Sequence, residues 1–141
     1  MARMRFEVEC EDGACRRTIE IGAGTSLEDL AEAAIASVGF DFDHAFGFYE
    51  NLRDPFGQGT RHTIFADMGE SDAMAGGSVR ATRLDGVFAE GTARLLLFDY
   101  GDEWRFRVTC TAAGLPGRAR RAECTAAEGT PPEQYPVEDD A

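Results

Sequence analysis

The chain contains no lysine: all 14 basic residues are arginine, set against 26 acidic ones, for a formal net charge of −12 over 141 residues. A surface that acidic repels phosphate backbones, so general nucleic-acid binding is disfavoured unless a local basic patch overrides it. The composition suits a GC-rich genome or a salt-rich cytoplasm. Long apolar runs are also missing. Nothing approaches the roughly 18 consecutive apolar residues a membrane span needs. The start, Met1-Ala-Arg-Met-Arg-Phe, leads into an alternating pattern rather than an apolar leader, so a cytoplasmic protein is expected. Catalytic signatures are absent too. There is no phosphate loop, no Gly-x-Gly-x-x-Gly fingerprint, no His-Glu-x-x-His and no Gly-x-Ser-x-Gly.

Cysteine is scarce: Cys10, Cys15, Cys110 and Cys124 are the four. Their Cys-x4-Cys and Cys-x13-Cys spacings lack the two-residue knuckles of strong zinc motifs. A cytosolic chain keeps such thiols reduced. Free thiols are therefore the expectation, with no metal and no cofactor. A zinc site made by all four, or a disulfide between Cys10 and Cys15 across a turn, are the alternatives.

What is present reads as one domain. Phe6, Val8 and Cys10 alternate with Arg5, Glu7 and Glu9. Past the turn signal Glu11-Asp12-Gly13, Cys15, Arg17, Ile19 and Ile21 alternate again, which predicts a hairpin. Thr25-Ser26-Leu27-Glu28 matches a capping box, with Thr25 or Ser26 as the cap. Leu27, Leu30, Ala31, Ala34, Ile35 and Val38 then keep helical spacing up to the stop at Gly39. His44 to Tyr49 predicts a strand with Phe46 and Phe48 inward and His44 in their phase. The Gly-rich stretch from Leu52 to Gly77 predicts a long insertion, with a short strand around Thr63 to Ala66. Leu84 to Phe88 suggests one helical turn.

The stretch from Leu95 to Val108 is the most informative. Two runs of strand formers flank Gly101-Asp102, which fits a two-residue hairpin turn. That turn sets Asp99 opposite Trp104, Phe98 opposite Arg105 and Leu97 opposite Phe106. Leu95, Leu97, Trp104, Phe106 and Val108 then share a core face with Asp99. Leu96, Phe98, Tyr100, Arg105 and Arg107 share the other. Gly101 should take a positive backbone torsion. After Thr111 regularity ends, Arg118, Arg120 and Arg121 form a small basic cluster, and Glu138, Asp139 and Asp140 make an acidic tail.

The run Phe98-Asp99-Tyr100-Gly101-Asp102-Glu103-Trp104-Arg105-Phe106-Arg107-Val108 resembles the Tyr-Asp-Phe-Gly-Asp-x-Trp signature of the plasmid-Ri open-reading-frame-three-like family, proteins also described as insertion-element passengers and often given a resolvase-like name. Asp43-His44 followed by Phe46 is similar to the family as well, although Ala45 stands where Leu is usual. Cys124 and Pro131-Pro132-Glu133 match its C-terminal pattern loosely. The later Cys and Gly residues common there are missing. The resolvase-like name finds no support in a basic helix-turn-helix segment.

The expected fold is α+β and β-grasp-like: an N-terminal hairpin, one main helix across a mixed or antiparallel sheet, and a C-terminal hairpin. A single domain is expected over residues 1–113, with an irregular segment and tail over 114–141. Asp99, a carboxylate on a core face, is read first as bonded to Trp104, turn amides or an Arg. The catalytic alternative draws on His44, Asp99 and Asp102 as a perturbed acid–base set. Phe98, Tyr100, Trp104, Arg105 and Arg107 are the candidate binding residues. They offer an Arg-aromatic face that suits base stacking, unless Arg105 simply packs over Phe98. The resemblance and the missing catalytic motifs together favour a non-catalytic accessory module of mobile elements that binds a protein. A small enzyme and a nucleic-acid-binding regulator are the other two readings.

Overall fold

The computed structural model describes residues 2–69 and 75–136. Strands β1 (Arg3–Cys10) and β2 (Cys15–Gly22) form the expected N-terminal hairpin, in register from Arg3 opposite Gly22 to Glu9 opposite Arg16. Its apolar phase is buried as the alternation requires: Met4, Phe6, Val8, Cys10, Cys15, Ile19 and Ile21 all face the core. Arg17 shares that phase and is also buried, because its guanidinium has carbonyls to meet. Nε donates to Ser37 O at 2.9 Å and one terminal nitrogen to Glu128 O at 2.9 Å.

Helix α1 (Leu27–Ser37) lies across the sheet and buries Leu27, Leu30, Ala31, Ala34 and Ile35. Its cap is Ser26, which exchanges hydrogen bonds with Asp29 in a capping box. The expected Thr25 box is therefore shifted by one residue. The Thr25 hydroxyl instead donates to Gly22 O at 2.8 Å. Gly39 ends the helix with φ +79°, a left-handed conformation that glycine adopts without a Cβ clash. Arg17, bonded to the Ser37 carbonyl, adds a cation at the helix C-terminus.

Strand β3 (Phe46–Tyr49) is buried on both faces, with Phe46 and Phe48 toward α1. The long insertion is more ordered than expected. It supplies β4 (Arg61–Thr63), the single-turn helix α2 (Ile64–Asp67) and β5 (Ala75–Ser78). The strand expected at Thr63 to Ala66 instead lies at Arg61–Thr63, and Ile64 to Ala66 are helical. A 3-10 turn at Leu84–Gly86 precedes β6 (Ala93–Phe98) and β7 (Trp104–Leu115). Last comes β8 (Glu123–Gly129), antiparallel to β2. The stretch beyond residue 113 was expected to be irregular, yet it extends β7 and adds an edge strand. The acidic tail from Glu138 lies outside the described residues.

The result is an α+β fold with an eight-stranded sheet in the order β5-β4-β3-β6-β7-β1-β2-β8. Every pairing is antiparallel except β4 with β5. Buried Arg3 fastens the incoming C-terminal segment. It donates to the carbonyls of Ala119, Arg121 and Glu20 and lies 3.6 Å from the Glu123 carboxylate.

The β6–β7 hairpin corrects the expected register. Phe98 pairs with Trp104, Leu97 with Arg105 and Leu96 with Phe106. The connection runs from Asp99 to Glu103, with positive φ at Asp99 (66°) and Glu103 (53°) and none at Gly101. Asp99 accepts from the amides of Gly101 and Asp102, so an aspartate-centred loop replaces the two-residue turn. Lengthening the loop by three residues flips one strand relative to the other. Trp104, Phe106 and Val108 stay on the helix side, but Leu96 and Phe98 join them while Leu95 and Leu97 turn away. Trp104 reaches Phe40, with ring centroids 5.0 Å apart.

Candidate functional site

Asp99 sits where β6 turns. It is buried, and its Oδ1 accepts from Gly101 N at 3.0 Å and Asp102 N at 3.3 Å. Its own amide donates to Ala45 O at 2.9 Å, which draws the segment ahead of β3 against the turn. That contact brings in His44, whose ring packs edge-on to Phe98 and whose Nε2 lies 3.5 Å from Asp99 Oδ2. The turn amides thus satisfy one carboxylate oxygen and the histidine faces the other.

The remaining members arrive from the far end of the chain. Gln134 is buried and clamps Asp41 at two points: its Oε1 accepts from Asp41 N at 2.8 Å and its Nε2 donates to Asp41 O at 3.0 Å. The same Nε2 is 3.2 Å from Asp43 Oδ1. Next to it, the Tyr135 hydroxyl donates to Asp43 Oδ2 at 2.8 Å and lies 2.7 Å from His44 Nε2. Since that hydroxyl proton goes to Asp43, the bond to His44 runs the other way, from Nε2–H to the phenol oxygen. Desolvation, the bond to Asp43 and the charges of Asp43, Asp99 and Asp102 push the Tyr135 phenol up to about 12. The structure therefore brings the predicted His44, Asp99 and Asp102 together, and it adds Asp43, Gln134 and Tyr135.

This chemistry fastens more readily than it reacts. A nucleophilic or basic phenol needs a lowered pKa, and this one is raised. The Nε2 face of His44 is taken up by Tyr135, Asp43 and Asp99. No arginine joins these ion pairs among the described residues.

The predicted Arg-aromatic face does not assemble. Phe98 is fully buried beneath α1, and Arg105 stands opposite Leu97, so it does not pack over Phe98. Trp104 also lies on the helix side; its Nε1 is buried and has no hydrogen-bond partner among the described residues. Tyr100 shares a 2.6 Å hydroxyl bond with Tyr49. Burial first, and that bond second, push its phenol far up. Gly47 makes this pairing possible, because a Cβ there would meet Thr63 Cγ2 at 2.8 Å and the Tyr100 hydroxyl at 3.0 Å. Arg105 bonds Glu103 at 3.1 Å and approaches Glu11 at 3.9 Å. Arg107 is exposed and makes no hydrogen bond or ion pair among the described residues. It lines a cavity of about 320 Å³ with Leu52, Leu95, Arg105, Cys10 and the acids Glu9, Glu11 and Asp12.

The four cysteines do not converge. Cys10 and Cys15 are bonded across the hairpin turn, their Cα atoms 5.2 Å apart, which corrects the expectation of free thiols for this pair. Cys110 lies opposite Phe6 and Cys124 opposite Ile19, each four residues along its strand, or about 13 Å at roughly 3.3 Å per residue. No cluster able to hold a metal is found among the described residues. Nor is any helix among them long and apolar enough to cross a membrane.

The fold and this cluster define an α+β protein whose C-terminal segment is fastened to the stretch ahead of β3, which in turn meets the β6–β7 turn. The profile of the family described as "Plasmid pRiA4b ORF-3-like protein" matches residues 1–137, so the chain belongs to that family. Among solved structures, the chain is similar to a protein of unknown function, MM3350, from Methanosarcina mazei Go1. The two are 18% identical with a TM-score of 0.75, over 92% of this chain and 72% of that one, a likeness of fold. No curated protein matches the chain.

Proposed function

We propose that the protein is a non-catalytic accessory module that binds a protein partner through the sheet face opposite α1. One observation carries this reading. Arg107 is exposed and, among the described residues, makes no hydrogen bond or ion pair beside the apolar floor of Leu52 and Leu95, whereas the polar groups of the His44 cluster are committed to one another. A cation next to buried aliphatic surface suits a carboxylate-bearing loop of another protein. The net charge of −12 and the burial of Phe98 argue against nucleic acid at this face. The association with mobile elements rests on the plasmid in the family's description, and a cytoplasmic location on composition. We read the architecture as β-grasp-like because one long helix crosses a sheet with a hairpin at each end of the domain.

Affinity capture from native lysate tests the reading when three proteins are compared. The wild type and His44→Gln should retain the same protein partner, and Arg107→Glu should lose it. Equal retention by Arg107→Glu, or loss with His44→Gln alone, contradicts it.

A further inference from the structure

The Cys10–Cys15 pair has a role open to it that a purely structural bond would not need. The ladders hold the hairpin tip without it: Glu9 pairs with Arg16, and Cys10 stands in register with Phe106 of β7. Only four residues separate the two cysteines, and a bond closing so short a loop constrains the unfolded chain least. The ladders would also keep the two thiols adjacent after reduction, so the bond can re-form without a search. Both side chains are buried, and each residue borders a cavity. Cys10 lines the cavity of about 320 Å³ with Arg105, Arg107, Glu9, Glu11 and Asp12, and Cys15 lines one of about 290 Å³ with Arg16, Glu9 and Glu128. Exchange proceeds through the thiolate form. The other two cysteines lie apart. Cys110 is buried with its thiol pushed up by that burial, and Cys124 is exposed on the edge strand.

We propose that Cys10 and Cys15 form a redox-active pair that cycles between dithiol and disulfide by exchange with a small-molecule disulfide. In the oxidising direction one thiolate attacks a sulfur of the small disulfide and expels its first thiolate, giving a mixed disulfide. The second cysteine thiolate attacks the protein sulfur of that mixed disulfide and expels the second small thiolate. One protein S–S bond forms and one small-molecule S–S bond breaks. The two cysteines are oxidised, the small disulfide is reduced to two thiols, and the cysteine protons end on those thiols. This proposal is independent of the partner-binding reading.

The test uses the full chain carrying Cys124→Ser, which removes the exposed thiol. The protein is equilibrated with oxidised glutathione, then with reduced glutathione, then with oxidised again. Each sample is alkylated under denaturing conditions and mapped by mass spectrometry. The expected result is alkylation of Cys110 alone, with a Cys10–Cys15 cross-linked peptide, in both oxidised samples. Cys10, Cys15 and Cys110 should all alkylate in the reduced one. The proposal is overturned if Cys10 and Cys15 stay alkylatable after oxidised glutathione, if they stay linked after reduced glutathione, or if they stop at a glutathione adduct.

Discussion

The two faces of the β6–β7 hairpin carry polar groups of opposite fates. Toward α1, Asp99, His44, Asp43 and Tyr135 satisfy one another and the turn amides. On the other face, Arg105 is paired to Glu103 and Glu11 while its neighbour Arg107 has no hydrogen bond or ion pair among the described residues. The first arrangement closes a fold, since each member loses a bond if another moves. The second leaves the Arg107 guanidinium exposed, with Glu9 opposite it on β1. A histidine beside a buried carboxylate looks more like chemistry than a lone surface arginine does, but the hydrogen-bond accounting points the other way.

The comparison can be broken by substitutions, and the largest effect should come from the buried side. Phe98→Ala should cost about 3–5 kcal/mol in chemical denaturation, the range for a large aromatic removed from a core. A near-neutral result would mean that Leu95 and Leu97, not Leu96 and Phe98, face α1. Asp99→Ala should cost about 1–3 kcal/mol, because two turn amides lose their acceptor and alanine tolerates the left-handed backbone poorly. Asp99→Asn should cost less, since the amide keeps an acceptor and asparagine accepts that conformation.

Tyr135 sharpens the comparison through pH. Its phenol is raised to about 12 in the folded chain, against an unfolded value of about 10. The stability this provides is full below about pH 10 and is lost as pH rises through about 12. Ultraviolet titration should show a tyrosine ionising near that upper value, and Tyr135→Phe should remove the step. The same variant should speed protease cleavage of the C-terminal segment. Arg107→Glu should change stability least, by within about 0.5 kcal/mol in denaturation, because Arg107 is exposed and makes no hydrogen bond or ion pair among the described residues.

The sequence made the N-terminal hairpin and α1 legible because each buries one face at a fixed period, so Phe6, Val8 and Ile19, or Leu27, Leu30 and Ala34, announce themselves. It hid the β6–β7 register because loop length was inferred from Gly101-Asp102. The controlling residue was Asp99, whose carboxylate caps the two following amides. An aspartate two residues ahead of a glycine was the available signal. Strand β8 escaped because Glu123-Cys-Thr-Ala-Ala-Glu-Gly has no apolar phase: all of its side chains are exposed, and β2 supplies the reason for it to be extended. Half of the His44 cluster was visible as unusual residues. Gln134 and Tyr135 were not, because no local pattern marks a contact made across about ninety residues. Strand alternation does not separate Asp43 from His44, because β3 begins only at Phe46.

The measurement that bears most directly on the central claim is the protonation pattern of the His44 ring, read by long-range proton–nitrogen NMR. A fastening role requires Nε2 to carry a hydrogen and donate it to Tyr135, while the Tyr135 hydroxyl proton stays on the bond to Asp43. Both signals should shift or vanish in Tyr135→Phe. A bare Nε2 that accepts the Tyr135 proton would make His44 a base aimed at a phenol. That result would contradict the fastening account and return this cluster to catalysis.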